Sequence, residues 1–132
     1  MIKSIEARTY KHESEDLEKV MKAFLNVFPF EEAIKMETLE GSFGTEIIVI
    51  SGIIKERIKV EKFIANLQQK LVNKLGKEGF SKRVERNSVF LRIDKQAAFL
   101  EDKIVIGNFD DCIWVKIKGD ASGLKALRKI LE

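Results

Sequence analysis

One cysteine, one proline, one histidine and no long apolar run: each scarcity narrows what this chain can be. A lone Cys112 cannot form an internal disulfide, which fits a reducing compartment. One histidine and one cysteine cannot supply the usual zinc spacing without several carboxylates. The longest apolar run, Ile47-Ile48-Val49-Ile50, falls far short of the roughly 20 residues of a membrane span. It is also too short for the apolar region of a signal peptide. A cytoplasmic protein with no membrane partner is the expectation. The single proline and eight glycines point to regular elements joined by short connections.

Catalytic signatures are equally sparse. His12 stands beside Glu13 at a strand end, and Cys112 lies within a strand with no neighbouring base, so both read as structural. Gly41-Ser42-Phe43-Gly44 lacks the Lys-Ser/Thr of a nucleotide loop and precedes a strand, not a helix. It reads as a hairpin turn with an exposed Phe43. Asp94, Asp110 and Asp111 are the one acidic group worth naming for metal-assisted chemistry. Asp110-Asp111 is more simply a solvated turn. The expectation is a protein that is not an enzyme and needs no cofactor.

What the chain does have is charge, at 34% of its 132 residues, beside 45% hydrophobic residues. That balance describes one folded domain, residues 1–132. The net charge of +3 is small, but it is unevenly spread. Residues 1–54 carry net −4, residues 55–92 net +7 and residues 93–132 net zero. A basic middle third is what a polyanion-binding patch leaves in a sequence, although a solvated helix face with a lysine-rich loop leaves the same mark.

Hydrophobic periodicity sets out the elements. Ile2–Lys11 alternates as a strand. Ser14 caps a helix whose stripe is Leu17, Val20, Met21, Phe24, Leu25 and Phe28, stopped by Pro29. Strands follow at 34–40 and 45–55, the latter apolar on both faces and therefore placed centrally, with Gly52 marking a bulge or a close approach. A helix is expected over 58–75, ended by Gly76 and Gly79. Strands at 88–94, 103–106 and 112–118 precede a closing helix at 121–131. The order β-α-β-β-α-β-β-β-α implies an α+β fold, a two-layer sandwich with a mostly antiparallel sheet and helices on one face.

The same alternation assigns the other sheet face. It receives Arg8 and Tyr10, then Phe90 and Arg92, then Cys112, Trp114, Lys116 and Lys118. Rings interleaved with cations suit single-stranded RNA, whose bases stack while its phosphates pair with the charges. The alternative is that the rings are covered, by residues 95–110 or by another subunit. A protein-interaction surface or a homodimer is the second reading of this face.

Three segments resemble one family. They are Glu-Gly-Ser-Phe-Gly-Thr-Glu-Ile at 40–47, Leu-Arg-Ile-Asp-Lys-Gln-Ala-Ala-Phe at 91–99, and a first strand leading through Tyr10-Lys11-His12 into a charged helix. Together they resemble the archaeal RNA-binding proteins labelled predicted exosome subunit, over about residues 1–118. The resemblance implies a fold similar to the 5S-rRNA-binding ribosomal protein of the large subunit. It also implies RNA binding without catalysis, in the company of RNA-processing proteins. On that reading Arg92, Lys95, Lys116 and Lys118 contact phosphates, with Phe90 and Trp114 as stacking surfaces. Asp94 and Gln96 hydrogen-bond bases or orient the loop, and Arg57, Lys59, Lys82, Arg83 and Arg86 extend the basic footprint. Asp94-Lys95-Gln96 admits a fold-keeping role equally well, as an ion pair and a side chain bonding nearby backbone. Residues 119–132 carry no motif of the family and read as a variable helix.

Overall fold

The computed structural model describes all residues, 1–132. Six antiparallel strands form one sheet in the order β2-β3-β1-β6-β5-β4. They are β1 (Ile2–Lys11), β2 (Ile34–Glu40), β3 (Glu46–Ile54), β4 (Val84–Glu85), β5 (Ser88–Asp94) and β6 (Cys112–Gly119). Five helices complete the fold: α1 (Leu17–Val27), α2 (Arg57–Lys70), α3 (Gly76–Lys82), α4 (Lys95–Leu100) and α5 (Ala121–Leu131).

Alternation decides which face is dry. Ile5, Ala7 and Thr9 of β1, Ile113, Val115 and Ile117 of β6, and Val89, Leu91 and Ile93 of β5 are all buried. Against them pack Val20, Phe24 and Val27 of α1, Phe63 and Leu67 of α2, and Leu127 and Leu131 of α5. Each large side chain buried here contributes about 1.5–3 kcal/mol. The expected two-layer α+β sandwich is the fold observed, and its other sheet face is open.

As its apolar run suggests, β3 is an inner strand, paired with β1 on one side and β2 on the other. Its second face is only partly covered: Ile47 and Val49 are half-buried and Ile53 is exposed. Gly52 is a close approach. A Cβ there would lie 2.5 Å from the Phe28 ring and 3.0 Å from the Ala33 carbonyl.

The helix expected over 58–75 ends at Lys70. Leu71 leaves the helix to pair in parallel with Ile104, and Asn73 both donates to and accepts from Ile106 backbone. Residues 103–106 consequently form isolated bridges instead of the expected strand. Gly76 takes φ +73 and opens α3, where the sequence suggested a stop. The first helix is capped by Asp16, not Ser14. Three short elements, β4, α3 and α4, have no counterpart in the expected order.

Candidate nucleic-acid interface

The candidate surface is built by three adjacent inner strands, β1, β6 and β5. Register pairs Arg8 with Trp114, Trp114 with Arg92, and Lys116 with both Glu6 and Phe90. Rings and cations therefore alternate along and across the sheet. Trp114 meets Tyr10 edge to face, with ring centroids 5.4 Å apart and planes at 81°. The Lys116 ammonium lies over the Phe90 ring at 5.7 Å. Phe90 is 43% exposed on the β5 surface.

A wall turns this face into a groove. Arg83 donates to the Gly79 carbonyl at 2.8 Å and to the Asn108 side chain at 3.2 Å. Arg92 reaches the Phe109 carbonyl at 3.4 Å, and the Gly107 N–H donates to the Arg92 carbonyl at 3.0 Å. These bonds fasten the loop at 107–109 to β5 and α3. The resulting groove has a volume of about 1090 Å³, with Tyr10, Phe90 and Trp114 on its floor and Lys82 and Arg83 on its rim. Arg8, Arg92 and Lys116 also line it, against two carboxylates, Glu6 and Glu85. None of Arg8, Lys82, Arg83, Arg92, Lys116 and Lys118 is in a salt bridge. Unpaired cations beside exposed rings form a surface ready for an anionic, aromatic ligand.

Eight of the residues singled out from the sequence thus share one groove: Arg8, Tyr10, Lys82, Arg83, Phe90, Arg92, Trp114 and Lys116. Lys118 continues the same face along β6 and is exposed, and Arg86 sits exposed in the β4–β5 turn at φ +57. The loop wall was not legible. Gly107 and Asn108 belong to no periodic pattern, and only the fold brings them to β5.

Arg57 and Lys59 stand apart, on the first turn of α2. Arg57 pairs with Glu61 at 3.2 Å, and Lys59 with Glu32 at 3.0 Å. The hydrogen bond to Glu32 raises the Lys59 pKa above its ordinary value. The Glu32 carboxyl is held low by its own backbone and by Lys59.

The Asp-Lys-Gln segment is a helix start. Asp94 caps α4, accepting from the Gln96 N–H at 3.3 Å. Lys95, expected at a phosphate, is instead buried, at 6% exposure. Its ammonium donates to the Tyr10 carbonyl at 2.7 Å, to both Glu15 oxygens at 3.1 Å and to Asp111 at 2.9 Å. All its protons are engaged inside the fold, so it has none for a phosphate. Gln96 is exposed but does not line the groove.

Potential chemistry elsewhere is weak. His12, Glu15 and Asp111 offer ligand atoms within 4.8 Å of one another, but both carboxylates are bonded to Lys95. Cys112 is buried at the inner end of the open face, and burial pushes its thiol up to about 11. It is therefore a neutral, poorly nucleophilic sulfur at physiological pH.

Comparison with known proteins identifies the family. A family model described as RNA binding matches residues 4–119, which includes the segments at 40–47 and 91–99. RNA-binding protein PAB1135 of Pyrococcus abyssi is 33% identical, the match covering 98% of this chain and 93% of that protein. The uncharacterised protein MJ0213 of Methanocaldococcus jannaschii is 37% identical over 86% of this chain and 81% of its own. The solved structure of Mth689, a DUF54 protein from Methanothermobacter thermautotrophicus, is 30% identical. It superposes with a TM-score of 0.82 over 100% of this chain and 99% of its own. A match of this extent, in sequence and in fold, makes the chain a member of this archaeal RNA-binding family.

Proposed function

We propose that this protein binds RNA without catalysing a reaction on it, through the groove on the open face of β1, β6 and β5. The observation that carries the reading is the placement of Arg8, Arg92 and Lys116, all free of carboxylate partners, around the floor of Tyr10, Phe90 and Trp114. Lys118, Lys82, Arg83 and Arg86 extend the cationic surface, while the rings supply contacts for bases. Family membership supports the ligand class. The groove offers no activated nucleophile, since its titratable groups are arginines, lysines, one tyrosine and two glutamates. Asp94 and Lys95 act as positioning residues beneath this surface. The work is placed in the cytoplasm, alongside RNA-processing proteins.

A labelled RNA titrated by fluorescence anisotropy at several salt concentrations tests the reading. Affinity falls steeply with salt, because each neutralised phosphate releases counterions. Lys116→Ala and Arg92→Ala each flatten the log–log slope by about 1. Affinity that is absent, or indifferent to salt, overturns it.

A further inference from the structure

Resting on the RNA-binding reading, we infer that the groove selects unpaired RNA and seats two splayed bases on Phe90 and Trp114. The spacing of the rings carries the argument. Phe90 faces Lys116 across the β5–β6 pair, and Trp114 faces Arg92, so the two rings are diagonal neighbours on one face. Such neighbours stand about 7 Å apart. Successive bases in a duplex strand are about 3.4 Å apart, half that distance. Two rings at this separation match bases pulled out of a helical stack.

The surroundings point the same way. In a duplex the base faces are covered by their neighbours, and proteins reach only edges, sugars and phosphates. Phe90, Trp114 and Tyr10 would then lie against a ligand that presents no ring face to them. The groove is also walled on one side by Lys82, Arg83 and Asn108. A rigid double helix needs a broad or convex approach, whereas one strand can enter a walled channel.

The path is bounded on one side by the 107–109 loop, and the rings lie on three adjacent strands, β1, β6 and β5, about 4.8 Å apart. That width, about 10 Å, matches two splayed bases at the separation of the two rings.

A short unstructured RNA, labelled at one end, is titrated alone and after annealing to its complement. The single strand binds about tenfold or more tightly than the duplex, and binding quenches Trp114 fluorescence. Phe90→Ala weakens the single strand about tenfold and leaves duplex affinity unchanged. Phe90 is exposed, so this variant keeps its fold. Duplex bound as tightly as single strand, or equal losses for both forms in Phe90→Ala, overturns the assignment while RNA binding stands. Binding of neither form overturns RNA binding itself.

Discussion

The Lys95 ammonium donates to the main-chain carbonyl of Tyr10 at 2.7 Å, across 85 residues of sequence. This bond anchors the first turn of α4 to the end of β1, where the Tyr10 ring meets Trp114. Glu15 and Asp111 neutralise the buried charge from α1's approach and from the β6 entry. The motif that looked like a phosphate contact is thus the support under the aromatic floor.

Lys95→Met removes that support. It leaves the Tyr10 carbonyl without this donor and brings two carboxylates face to face without their cation. The expected loss is about 2–3 kcal/mol of stability. Thermal unfolding followed by circular dichroism should show a midpoint lower by about 10 °C. The positioning role predicts a second effect: a conformational shift of Tyr10 and Trp114 seen as a changed tryptophan emission spectrum in the still-folded variant. An unchanged midpoint counts against the role.

Arg57 and Lys116 separate the groove from the basic composition of the chain. Arg57→Ala lies on α2 and should leave RNA affinity within about twofold. Lys116→Ala removes a groove cation and should weaken binding about fivefold near physiological salt. Anisotropy titrations of both variants against one labelled RNA check this. Equal effects would mean that diffuse charge, not the groove, governs binding.

Gly52→Ala places a methyl group against the buried Phe28 ring and the Ala33 carbonyl. The core must shift to admit it, at a cost of about 1–3 kcal/mol. Gly44→Ala provides the contrast, since nothing lies within 4 Å and only its φ of +76 opposes the change. Urea unfolding midpoints rank the two, with Gly52→Ala the less stable.

The Cys112 thiol, raised to about 11 by burial, should resist alkylation in the folded protein at neutral pH and react on unfolding. The sign of its linkage follows. The folded state keeps the proton to higher pH than the unfolded chain does, so stability falls as pH rises from the ordinary thiol range toward 11. Cys112→Ala should flatten that alkaline decline. Urea unfolding at a series of alkaline pH values measures it.

Period-2 alternation makes the open face legible, because β5 and β6 obey it throughout and β1 obeys it beyond a register shift between Ile2 and Ser4. It brings Arg8, Phe90 and Trp114 to one face. The sequence also carried the motif at 91–99, but not its purpose. Whether Lys95 points to solvent or inward depends on Glu15 and Asp111, residues 80 and 16 positions away. The helical stripe over 58–75 was real, yet Leu71 left it for Ile104, a tertiary pairing that outweighs local periodicity. The inner position of β3 was legible in its apolar run, but the partial burial of its second face was not, because in sequence it looks like full burial.

The two borders of the sheet are unequal. β4 is two residues long, too short to template another strand, whereas β2 runs for seven with its outer side unpaired. Glu37 and Glu40 stand on that longer border, and a second molecule approaching it side by side would meet like charge. Colloidal behaviour should therefore be governed by these carboxylates: high salt screens the guard and favours lateral growth of the sheet into aggregates.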